Sequence, residues 1–149
     1  MENTMIELKA ETGAENLSST SFHLIAQDYY KCVQDFQPAK FSTVPYALLC
    51  RAIELKLKSR LLKDAHSGGP TQKNIANRFS HDLEKAYKAL DVKDQVLNVQ
   101  ELDLLCKANK IYIDKKGFDY IQPEDAVHGY SRFPDLKALN ELAKKLIGL

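Results

Sequence analysis

The chain has almost no net charge of either sign. Its 21 Lys and Arg face 20 Asp and Glu, a formal balance of +1. That excludes a protein that holds nucleic acid by bulk charge alone. Paired cysteines are lacking too: Cys32, Cys50 and Cys106 are an odd number, and none stands at C-x-x-C spacing. Disulfide frameworks use even counts and zinc sites use close pairs. Each cysteine falls on an apolar helical stripe, which predicts buried free thiols in a reducing compartment. No run of about 18 apolar residues occurs, which excludes a membrane-spanning helix. The start carries Glu2, Glu7, Glu11 and Glu15 against Lys9. A secretory leader has a basic start and an apolar run, so a cytoplasmic protein is expected.

Chemical motifs are equally scarce. His23, His66, His81 and His128 are scattered, and no pair has the i,i+4 spacing of a helical zinc site. Gly68-Gly69 is followed by Pro70, not by the Lys-Ser/Thr of a phosphate loop. No G-x-S-x-G elbow is present. No cofactor is expected.

What the chain does have is helical period. At 149 residues, 44% hydrophobic, it can bury one core of ordinary size. Residues 1–17 are polar and unpatterned, predicting a flexible lead-in to a single domain over 18–149. Phe22, Ile25, Ala26, Tyr29, Cys32, Val33 and Phe36 recur at steps of three and four, the stripe of a first helix. Pro38 stops it.

A second helix opens at Pro45 and runs to about Lys63, with apolar residues on more than one side. That predicts a central helix packed against at least two neighbours. Ser80 is the expected N-cap of a third helix, whose stripe is Leu83, Ala86, Tyr87 and Leu90. Asn98 and Glu101 form a capping-box start for a fourth. Residues 111–121 fit either a small hairpin around Lys115-Lys116-Gly117 or an extension of that helix. Residues 123–133 read as loop, and Pro134 opens a last helix ending at Gly148. An all-α, antiparallel, up-and-down bundle of four to five helices buries such stripes.

The near-zero charge is a sum of unequal parts. Residues 1–39 carry −4, residues 40–88 carry +6 and residues 89–149 carry −1. Lys56, Lys63, Lys73 and Arg78 form the expected basic surface of the middle third. It reads either as a solvated face or as a phosphate-binding one. Within the second helix, Arg51, Glu54 and Lys58 stand at i, i+3 and i+7 and share a face. Charges on a central helix are costly unless paired. A polar network with His81 and Asp82 is therefore expected, either ordering the bundle or binding an anion.

Three stretches carry a family resemblance. VPYALLCRAIELKLKSRLL resembles the second helix of HEPN-like domains. SHDLEKAYKAL resembles the start of their next helix. Tyr112 to Phe133, followed by PDLKALNELAKKLI, resembles their closing segment. The resemblance implies an all-α bundle, a homodimer and links to RNA, nucleotide or toxin–antitoxin biology, with an antitoxin or other protein as a further partner. Ribonucleases of that family carry an Arg, four to six residues, then a His. Arg60 and His66 match that spacing and are the catalytic candidates, although Leu61 follows the Arg where those enzymes have a polar residue. The resemblance therefore implies a non-catalytic interaction module first and a ribonuclease-type toxin second. A third reading is a metal-dependent HD-type phosphohydrolase, with His81-Asp82 and His66 as ligands activating a water.

Overall fold

The computed structural model describes residues 18–64, 75, 78–115 and 117–149. The expectations for the lead-in 1–17 and the glycine turn at 68–70 lie outside these residues, as do His66 and Lys73. The described residues hold helices α1 (Ser19–Asp35), α2 (Val44–Asp64), α3 (Leu83–Lys88), α4 (Val99–Tyr112), α5 (Pro123–Val127) and α6 (Leu136–Ile147). Short 3₁₀ turns at Val92–Asp94 and Gly117–Asp119 join them. The fold is an all-α helical bundle.

The starts of α1, α3, α4 and α6 are each fixed by a side chain that takes up a free backbone N–H. The Ser18 hydroxyl accepts from the Ser21 N–H at 3.1 Å. Asn98 and Glu101 form the expected reciprocal box on α4, at 2.8 and 2.9 Å. Asp135 caps α6 through the Ala138 N–H at 2.7 Å. At α3 the expectation fails: Ser80 sits at φ +48° and the cap is Asp82, which accepts from the Lys85 N–H. An N-cap needs extended backbone, which Asp82 has and Ser80 does not.

Two further expectations need correction. Residues 123–133 are not all loop, because Pro123 starts a one-turn helix and the Asp125 carboxylate accepts from the Gln122 N–H. Proline's fixed φ suits that first position. Of the cysteines, Cys50 is buried but Cys106 is half-buried and Cys32 is exposed. The first stripe is wider than the face α1 buries, which centres on Phe22 and Ala26. At 111–121, α4 runs on to Tyr112 and the described residues contain no hairpin.

Contacts between elements fix the topology. Ser19 meets Ser59 and His23 meets Lys56, so α1 and α2 are antiparallel. Tyr46, at the start of α2, bonds Pro134 beside the start of α6, while Lys63 and Ile147 share a cavity wall at their ends. Those two helices run parallel. Lys145, late in α6, reaches Glu101, early in α4, so these are antiparallel. The four longer helices therefore alternate in direction, with α2 at the centre. Leu49, Ile53 and Leu57 on one side of α2 are fully buried in the main core with Leu83, Leu105, Leu139 and Leu146. Leu55, on another side, packs with Phe22 and Ala26 of α1. Each such side chain contributes about 1.5–3 kcal/mol by leaving water. An aromatic cluster closes the end near the start of α2, where Phe41 stacks on Tyr130 with centroids 3.8 Å apart.

Candidate functional site

Glu54 lies mid-way along the central helix and is only 2% exposed. Its carboxylate is completely engaged. Oε1 accepts from Lys58 Nζ at 3.1 Å and from His81 Nδ1 at 2.5 Å. Oε2 accepts from Arg51 Nη1 and from the Tyr112 hydroxyl, the latter at 2.9 Å. A carboxylate has about four lone-pair sites, so none is left for a ligand. Burial pushes the Glu54 carboxyl up, but Lys58 and Arg51, with the Tyr112 and Arg51 hydrogen bonds, carry it below its ordinary value. Burial, with the negative charge of Glu54, raises the Tyr112 hydroxyl.

This hub brings together Arg51, Glu54, Lys58 and His81, as the spacing predicts, but not Asp82. The Asp82 carboxylate caps α3 and accepts from Asn109 Nδ2 at 2.9 Å. Tyr112 takes the remaining place. Nothing local in the sequence points to it, because it arrives from α4, 58 residues away. The His81 side chain is 62% exposed and rests edge-on against the Tyr112 ring. Two cavities of about 350 and 390 Å³ adjoin these two rings. With Nδ1 turned to Glu54, the exposed side of the His81 ring lines both cavities.

A second constellation lies between α1, α2 and the end of α6. There Lys56, Arg60 and Lys63 line one cavity of about 490 Å³ together with His23, Ser19 and Ser59. Lys56 corrects an expectation. It is no surface residue but 4% exposed, with Nζ 2.9 Å from His23 Nδ1. Burial, then the charges of Arg60 and Lys63, pull its ammonium down to about 8, only partly opposed by Asp94. Burial and the same lysines lower His23, which is therefore neutral. Arg60 Nη2 donates to the buried Asp94 carboxylate at 2.6 Å. Ser19 and Ser59 lock the helices by each donating to the other's carbonyl at 2.7 Å. His23 was invisible as a site residue in the sequence, being a single histidine on an amphipathic helix.

Lys63 is the exposed member of this set of cations, and Arg78 stands apart from it, exposed with its guanidinium over the Phe79 ring. The catalytic pair cannot be assembled from the described residues, since His66 lies outside them. The His81-Asp82 doublet is split between two tasks, and no group of three His, Cys, Asp or Glu among the described residues is placed to hold a metal. Among the described residues no helix is long and apolar enough to cross a membrane. No family model, curated protein or solved structure matches the chain.

Proposed function

We propose that the chain is a HEPN-like helical interaction module, non-catalytic and cytoplasmic, that works as a homodimer and engages RNA or nucleotide through residues 40–88. The observation that carries this reading is the convergence of Lys56, Arg60 and Lys63 on one cavity. Clustered cations facing a concave surface are what phosphate recognition requires. Two features favour binding over chemistry. Arg60, the arginine of the ribonuclease spacing, is tied to Asp94. Glu54, a buried carboxylate on α2, has its acceptor sites filled. An antitoxin or other protein partner belongs to the same reading, as a competitor or companion at the basic face.

Anisotropy of a labelled single-stranded RNA, titrated with the purified chain over a salt series, tests it. Binding that weakens steadily with salt, with the RNA intact afterwards, is the expected result. Light scattering is expected to give twice the chain mass. Salt-insensitive binding would remove the electrostatic reading. Cleavage that disappears in His66→Ala would replace it with the ribonuclease toxin.

A further inference from the structure

We propose that the cavity between α1, α2 and the end of α6 is a pocket for one dianionic phosphoryl group, a phosphate monoester. It would be taken free, on a mononucleotide or at an RNA 5′ end. This rests on the anion-binding reading above and narrows it to one end group. It is distinct from reading the internal diesters of a nucleic acid.

The charge count points there first. Three cations of α2 converge, and of these Arg60 donates to the Asp94 carboxylate. A buried ammonium is expensive unless an anion compensates it. Lys56 is buried beside two like charges, and its hydrogen-bond partner is an imidazole, which carries no negative charge when neutral. Lys56 and Lys63 thus bring two positive charges to the cavity wall beside the Arg60–Asp94 pair. A phosphodiester brings one negative charge, whereas a monoester brings about −1.5 to −2 at neutral pH.

The donors match as well. Lys56 has three N–H bonds and spends one on His23. Because His23 Nδ1 accepts that bond, its proton sits on Nε2, which makes the ring a donor at the cavity wall. Lys63 stands exposed at the rim, where a charge steers an incoming anion. The pocket of about 490 Å³ falls within the usual range of about 300–1,000 Å³ for small-ligand sites. A phosphoryl group fills part of it and leaves room for what is attached.

A buried lysine that costs stability where no anion is bound is a strained site, and such strain concentrates where function needs it. Lys56→Met keeps the stem and removes the charge. It is expected to melt no lower than the parent chain and to lose binding. Inorganic phosphate, adenosine 5′-monophosphate and adenosine are titrated calorimetrically into the full chain. The first two are expected to bind and raise Tm, and adenosine to do neither. Lys56→Met is expected to weaken phosphate about tenfold or more. Lys63→Glu, an exposed change that leaves the fold intact, is expected to weaken it about fivefold. A 5′-phosphorylated oligoribonucleotide is expected to bind about tenfold tighter than its 5′-hydroxyl twin.

Equal affinity for the two oligonucleotides, with no loss in Lys56→Met, would overturn the pocket and leave salt-dependent RNA binding standing. Phosphate binding without RNA binding would support the pocket and remove RNA from the broader reading. No binding of phosphate or of the monophosphate would overturn the pocket outright.

Discussion

Glu54 shows how a single residue ties distant parts of a chain. Two of its four partners were legible: Arg51 and Lys58 follow from i,i+3 and i,i+4 spacing on one helix face. His81 followed from asking what could compensate a charge on a central helix. Tyr112 did not follow, because no spacing rule links residues on separate helices. Glu54→Ala is expected to cost about 3–5 kcal/mol in urea denaturation, since it leaves Lys58 under-compensated in the interior. A loss under about 0.5 kcal/mol is what an exposed position gives and would contradict the burial. Tyr112→Phe removes one donor to a charged acceptor and is expected to cost about 1.5–3 kcal/mol.

At the scale of elements, helix existence and packing faces were readable, and the exact starts were less so. Leu83, Ala86, Tyr87 and Leu90 announced α3, and all four are buried. Its N-cap was ambiguous because Ser80 and Asp82 both carry suitable oxygens. The choice is made from α4. Buried Asn109 accepts from the Leu83 N–H at 2.9 Å and donates to Asp82 at 2.9 Å. Local pattern cannot report a partner that lies 26 residues on. Substitutions separate the two residues. Asp82→Ala is expected to cost about 1–2 kcal/mol as a lost cap. Ser80→Gly is expected to stabilise by about 0.5–1 kcal/mol, because Ser80 occupies the left-handed region that glycine enters freely. If thermal denaturation showed Asp82→Ala to be neutral, the cap would not be Asp82.

For the whole molecule, a net charge of +1 concealed the organisation that matters. The sequence placed +6 on residues 40–88 and the Arg51–Glu54–Lys58 face within it, but not the cation-lined cavity. Only folding turns Lys56 inward. The carboxylate hub and this cavity set the pH dependence of stability. The Glu54 carboxyl is lowered in the fold, so its contribution is present above its ordinary value of 4.5 and is lost as pH falls through the folded value. Lys56 works the other way. Its folded value is about 8 against an ordinary 10.5, so between those values the unfolded chain holds the extra proton. Stability therefore climbs as pH rises through 8. Around the ammonium stand His23 from α1, Arg60 and Lys63 from α2, and Asp94 from the following 3₁₀ turn. His23 is lowered below 6.5 and does not titrate in this window. Above 9 the buried Cys50 thiol, raised by burial, works against this climb, since the unfolded thiol ionises first, and above 10 the raised Tyr112 hydroxyl does the same. Tm is thus expected to rise between about pH 7.5 and 8.5 in phosphate-free buffer. Lys56→Met is expected to flatten that rise. Saturating phosphate is expected to flatten it as well, by holding the ammonium charged in the fold. A parent chain whose Tm stays level across this window would mean that Lys56 carries no penalty, and the stability cost assigned to it would fall.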